Sequence, residues 1–257
     1  MGKSKDLATG ASTFYQDQTE SDARYVNVSG DTMTGRLSIQ ESAAAGEGIL
    51  LTNSHNVAGT YSDLKWAYSA ADDSYGSGLR FKQVDTTHGG QLEFYTDNAS
   101  GTYTKQMQIT ENGHVTTPNQ PSFSVRSNGG NNGNTWDAGQ VIKFQTVQHN
   151  VGSHYSTSTG RFTAPVAGFY VFHYIGFGYT AGLVAAAVTT VASFRRNGSS
   201  HANIYNYLAS TTSYPSMTGS LGIYLAASDY VDVLASSQGQ YADASNLYTA
   251  FSGYLLH

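Results

Sequence analysis

The chain has 257 residues, 13 Lys and Arg against 18 Asp and Glu for a net charge of −5, and no cysteine. That balance leaves no basic patch for a phosphate backbone, and without thiols there can be no disulfide, thiolate metal site or cysteine nucleophile. Charged residues are only 12%, while Gly numbers 28 and Tyr 19, a bias toward strands and turns from which the chain reads as all-β.

Residues 1–23 are polar and small, with Phe14 and Tyr15 their only aromatics. Lys3 and Lys5 have no apolar run behind them, so the start does not read as a secretory signal, and no stretch approaches the ~20 apolar residues of a membrane span. The segment reads as an attachment piece. The run YVNVSGDTMTGRLSI at 25–39 predicts a short strand, a turn at Ser29-Gly30-Asp31, and apolar positions Met33, Leu37 and Ile39. From 48 to 115 come short alternating stretches at 49–51, 79–81, 92–95 and 107–109, the last followed by a hairpin turn at Glu111-Asn112-Gly113-His114. Strands of that length bury too little to offset roughly 1–2 kcal/mol of backbone entropy per residue, so they are expected to find partners in other copies of the chain and build an interwoven shaft.

Two prolines, Pro118 and Pro121, mark a linker into the last domain. Its candidate strands lie at 122–126, 141–146, 161–164, 168–179, 188–196, 201–208, 220–227, 230–236 and 248–256, and Asn197-Gly198 is a strong hairpin signal. Many strands without helical periodicity fit a sandwich or jelly roll. The organising stretch is 160–174, GRFTAPVAGFYVFHY, two strands joined by a turn at 165–168. Phe169, Val171, His173 and Ile175 alternate with Tyr170, Phe172 and Tyr174, so both faces are bulky and both need cover. One face suits a sandwich core and the other a contact between subunits.

The run at 25–37 resembles a segment recurring near the start of bacteriophage tail-fibre and tail-collar proteins, Tyr-Val-Asn-x-x-Gly-Asp-Thr-Met-Thr-Gly-x-Leu. The last domain resembles the globular head of complement component C1q, which shares its jelly roll with tumour necrosis factor. The matches are Phe123-Ser124-Val125, then Asn150, Tyr155, Gly160, Phe162, Pro165, Gly168, Tyr170 and Phe172, and finally Phe251 to Leu256. The chain departs at Ser228-Asp229, where the family usually has Gly before the Asp. Heads of this family are trimers, and with no Gly-X-Y repeat here a different trimeric stalk is implied. Together the resemblances imply an attachment segment at 1–38, an interwoven trimeric β shaft at 39–120, and a jelly-roll head at 121–257.

No residues assemble into a catalytic motif. His149 and His154 lack a third metal ligand, and Asp72-Asp73 and the pair Asp229 and Asp232 read as turn residues. No cofactor or metal is expected, and no nucleic acid. What remains is binding: tyrosine gives large rigid contact area that stacks on sugars, while Ser, Asn and Gly adapt their hydrogen bonds. In the resembled fold both termini lie at one end, so the connections at 180–187, 209–216 and 238–246 fall at the far end. Tyr214, Tyr241 and Asp243 within them are the candidate receptor-binding residues, with Trp136 and Tyr155 on the flank as the next candidates. The implied function is a non-catalytic virion tail fibre, a homotrimer joined to tail or baseplate proteins by its N-terminal segment and binding a host glycan or outer-membrane component. The alternatives are a tailspike depolymerase and a secreted cellular adhesin with the same head.

Overall fold

A computed structural model describes residues 57–67, 76–86, 89–98, 100–129, 135–179, 188–208, 215–237, 239–241 and 248–257. The expected elements at 25–39 and 49–51, and Asp72-Asp73, lie outside these. The described part is all-β. Its first portion is a single antiparallel sheet formed by β1 (Tyr61–Ala67), β2 (Gly76–Gln83), β3 (Gly90–Asp97), β4 (Tyr103–Ile109) and β5 (Val115–Thr116), hydrogen-bonded in that order. Each strand therefore pairs with its neighbour in the same chain, and these hydrogen bonds need no other copy.

The expected short strands prove longer because charged residues carry them on. Arg80 donates two bonds of 2.9 Å to Asp63 across the β1–β2 pair, and its guanidinium lies 3.6 Å from the Tyr61 ring and 4.7 Å from that of Tyr95. Glu93 accepts from Tyr95 Oη at 2.8 Å and from Lys105 Nζ at 3.1 Å. A bulge between Phe94 and Tyr95 in the β3–β4 register lets Lys105 and Gln108 share one face although they are three residues apart. The turn at 111–114 forms as expected: Gly113 has φ +80° and Ile109 pairs with Val115.

The linker is ordered. Asn119 Nδ2 donates to the Lys105 carbonyl at 3.0 Å, Gln120 Nε2 to the Leu255 carbonyl at 2.6 Å, and the Leu255 amide to the Pro121 carbonyl at 2.9 Å.

The C-terminal domain is a sandwich of thirteen strands: β6 (Ser122–Arg126), β7 (Thr135–Trp136), β8 (Gln140–Val141), β9 (Thr146–Asn150), β10 (Tyr155–Ser156), β11 (Arg161–Thr163), β12 (Gly168–Tyr179), β13 (Val188–Arg196), β14 (Ser199–Leu208), β15 (Ser216–Leu225), β16 (Tyr230–Ser237), β17 (Gly239–Tyr241) and β18 (Ala250–Leu255). One sheet runs β7-β17-β12-β18-β6-β9 with β15 also on β12, and the other runs β10-β11-β16-β13-β14 with β8 on β16. The turn at 165–167 thus carries the chain from one sheet to the other, since β11 pairs with β16 and β12 with β15 and β18. Asn197 (φ +50°) and Gly198 (φ +84°) make the two-residue hairpin between β13 and β14.

The core is aromatic. Phe123 stacks on Tyr155 (5.2 Å between centroids) and Phe162 (5.0 Å) and meets the edge of Phe251 (4.9 Å), so rings from both sheets converge on it. Gly253 lies beside this cluster because a Cβ there would come within 2.5 Å of Phe172. On β12, Tyr170, Phe172 and Tyr174 are fully buried, while Phe169, Val171 and His173 are only half-buried and Ile175 is 51% exposed. The inner face is closed by the core, while among the described residues nothing buries the outer face to the same degree.

Candidate ligand-binding site

The strand registers place the two ends of the sandwich. At one end Pro121 bonds Leu255 and Phe169 bonds His257, alongside the turn at 226–229 and the Asn197-Gly198 hairpin. At the opposite end β12 finishes at Tyr179 beside Gly239, β13 begins at Val188 beside Leu208, and Phe177 pairs with Ser216. Tyr179, Val188, Leu208, Ser216 and Tyr241 thus lie at the end remote from Pro121 and His257. Of the expected connections at 180–187, 209–216 and 238–246, residues 180–187, 209–214, 238 and 242–246 lie outside the described residues, and 239–241 form β17. Tyr214 and Asp243 lie outside the described residues. Tyr241 is half-buried in β17, paired with Phe177 and Thr135, and its carbonyl accepts from Thr249 Oγ1 at 3.1 Å.

The two flank candidates are core residues. Tyr155 is 3% exposed, its hydroxyl oxygen accepting the Phe144 amide at 3.1 Å, and burial drives its pKa well above the ordinary tyrosine value. Asn150 holds it in place: the side-chain amide donates to the Tyr155 carbonyl at 2.9 Å and accepts the Tyr155 amide at 3.1 Å. Trp136 is 4% exposed, so its ring offers no open face for a sugar, and its Nε1 has no hydrogen-bond partner among the described residues. A tyrosine bound for the core and one bound for a ligand look alike in a sequence, because the difference lies in what satisfies the hydroxyl.

The carboxylates at 229 and 232 have separate structural tasks. Asp229 accepts Asn197 Nδ2 at 2.6 Å, the Ala226 amide at 2.8 Å and Arg196 at 2.7 Å, and these three donors hold its carboxyl below the ordinary range. It ties the turn at 226–229 to the β13–β14 hairpin, and there Ser228 has φ +74°, the left-handed conformation for which glycine is better suited. Asp232 is fully buried and accepts a two-point contact from Arg195 at 2.7 and 2.9 Å, with Arg161 at 3.4 Å. His149 bonds Ser122 Oγ at 2.9 Å, and His154 packs edge-on against Phe162, its pKa lowered by burial. Among the described residues no three His, Asp or Glu gather in a way that could hold a metal.

A feature missed in the sequence is an open groove lined by Trp136, Gln140, Val141, Lys143, Ser158, Thr159 and Arg161. Arg161 lies 4.1 Å from the Tyr230 ring, and the carboxylate it approaches is already neutralised by Arg195. Lys143 adds a second cation, so the groove is locally positive in a chain of net charge −5. Only Gly160 hinted at it: φ is +74° and a Cβ would sit 2.8 Å from the Ile142 carbonyl, so the 157–160 turn closes directly on 141–143.

Similar solved structures include the globular domain of zebrafish complement 1qA (18% identity, 54% of this chain and 98% of that one, TM-score 0.40). Eiger TNF from S. frugiperda matches at 10% identity over 54% and 93% (TM-score 0.40), and murine APRIL at pH 5.0 at 13% over 53% and 99% (TM-score 0.41). The C1q domain profile matches residues 122–256, more than half of the chain, and on that match the chain belongs to the C1q domain family.

Proposed function

We propose that the chain is a homotrimeric, non-catalytic receptor-binding fibre of a bacteriophage tail, whose head meets a polysaccharide or outer-membrane component of the host cell. The observation that carries the trimer is the outer face of the β12 sheet, which the described residues leave partly exposed. Phe169 pairs with Tyr224 (61% exposed) and Val171 with Tyr254 (41% exposed), and Ile175 continues the patch, so an aromatic and aliphatic surface lies outward where a second copy would bury it. The trimeric habit of C1q-like heads supports the same reading. The particle role rests on the tail-fibre-like run at 25–37.

Absence of catalysis is part of the proposal. Asp229 and Asp232, the nearest pair of carboxylates, are both engaged by arginines instead of facing a cleft. Ligand contacts fall to the remote end, where Tyr241 lies, and to the positive groove at Lys143 and Arg161, whose chemistry suits an acidic saccharide. Loops on a rigid sandwich vary without disturbing its core, and three copies add avidity.

The test is immunolabelling with antibody raised against the full chain. Decoration of phage tails and loss of phage adsorption are expected. Labelling of bacterial surfaces without particles would replace this reading with the cellular adhesin, and release of reducing ends from host polysaccharide would replace it with a depolymerase.

A further inference from the structure

The five-stranded sheet of β1–β5 is buried the wrong way round for a lone sheet. Its register sorts every Asp, Glu, Lys and Arg of the five strands onto one face, together with Tyr61, Tyr95 and Tyr103. These long side chains cover one another, and Glu93 among them is 1% exposed. The other face carries two transverse rows, Leu64-Leu79-Phe94-Met107 and Phe81-Leu92-Ile109-Val115, with Trp66 at their margin. None of these residues is buried: Trp66 is 60% exposed, Phe81 45% and Val115 62%. From strand rise and spacing the two rows lie about 7 Å apart and together span about 19 Å across the five strands, a contiguous apolar patch of a few hundred Å², a size that is often functional.

We propose that this face is covered by the same face of two further copies of the chain, three sheets packing about a threefold axis with their charged sides outward. Three observations select a copy as the occupant. The face holds no ionisable group within the strands, so it offers nothing by which an unlike partner would be oriented, whereas an apolar surface is complementary to itself. The linker at 117–121 is hydrogen-bonded on both sides, so heads gathered into a trimer bring three such sheets together. This step rests on the trimeric reading of the head. The sheet's own hydrogen-bond ladder is complete from β1 to β5 within one chain, so copies meet through side-chain layers and not by exchanging strands. The contact lies outside residues 122–256 and belongs to the shaft alone.

The chain's lack of cysteine makes the test clean. Full-length Leu79→Cys, with Val115→Cys as a second variant at an exposed strand, is treated with a bis-maleimide spanning about 10 Å, the separation of packed sheets. Lys82→Cys on the charged face is the control. A two-chain band on a denaturing gel is expected from both apolar-face variants and at least tenfold less from the control. Absence of that band, equal yields from both faces, or cysteines protected from single labelling without inter-chain linkage would overturn the proposal, the last by showing that the chain's own segment covers the face. Sedimentation of the same samples separates the causes: a trimer without cross-links removes this inference only, and a monomer removes the trimeric head as well.

Discussion

The head and the sheet that precedes it solve the same problem in opposite ways. In the head, alternation along β12 turns Tyr170, Phe172 and Tyr174 into a closed core, and polar residues face outward along most strands. In the β1–β5 sheet the charged side is the packed one and the apolar side is left open. A sandwich supplies its own second layer; a single sheet cannot, so whatever is apolar on it must be covered from elsewhere. A network of Arg80, Asp63, Tyr95, Glu93 and Lys105 ties neighbouring strands of this sheet together within one chain.

The most severe way to break this contrast is Phe123→Ala. It removes the ring on which both head sheets converge, and the loss should be about 3–5 kcal/mol, read as a lower urea midpoint for the head. The β1–β5 sheet should keep its amide-exchange protection. Glu93→Gln attacks the other region. It removes the charge that Lys105 meets at 3.1 Å, and a buried carboxamide then replaces a satisfied carboxylate, at a cost of about 1–3 kcal/mol. Faster exchange across 90–109 with an unchanged head melt is the expected result.

Acid sharpens the comparison further, because each region has a carboxyl with a lowered pKa. Burial pushes Glu93 upward, yet the bonds from Tyr95 and Lys105 outweigh it and leave a net lowering; Asp229 is lowered by Asn197, the Ala226 amide and Arg196. A carboxyl depressed in the folded state adds stability that is fully present above the unfolded pKa of ~4 and is lost as pH falls through the lower folded value. His154 acts earlier and only in the head. Its folded pKa lies below the unfolded value of ~6.5, so stability declines as pH drops from there toward the folded value. Melting of the head should therefore begin to fall near pH 6.5 while the sheet holds until the carboxylate range, and His154→Asn should flatten the head's upper slope.

The smallest effect is a gain. Ser228 occupies a left-handed conformation at φ +74°, and Ser228→Gly should stabilise the head by up to about 1 kcal/mol, a few degrees in a calorimetric melt.

Much of the head was legible. The bounds of β6, β12 and β13 follow directly from alternation ended by turn residues, and the family motif residues Phe123, Tyr155, Phe162, Tyr170, Phe172 and Phe251 all lie in one core. Two-residue strands such as β7, β8 and β10 were not, since two residues carry no period. The candidate strand at 141–146 proved to be parts of two, β8 and β9, joined by irregular chain at 142–145 whose Ile142 and Phe144 are buried all the same. β1 was missed: only Leu64, Trp66 and Ala67 are apolar on its open face or end, and what fixes the strand is the Asp63–Arg80 contact to the next strand, which no local pattern shows. The flank candidates failed for a related reason: Trp136 and Tyr155 advertise binding by residue type, and only the fold turns them inward. Lys143 and Arg161, 18 positions apart, become neighbours only when the 157–160 turn folds back on 141–143.

The pinned linker also sets how the molecule bears load. A pull arriving along 117–121 enters β6 lengthwise, and β6 is bonded to β18 on one side and to β9 on the other. Tension is then resisted by two ladders in shear, all bonds strained together, instead of being unzipped one at a time from an edge. Gln120 and Pro121, clasping Leu255 at the point where β6 begins, keep the force directed along that axis. A load on the remote end of the head would therefore reach the linker through β6 and its two neighbours.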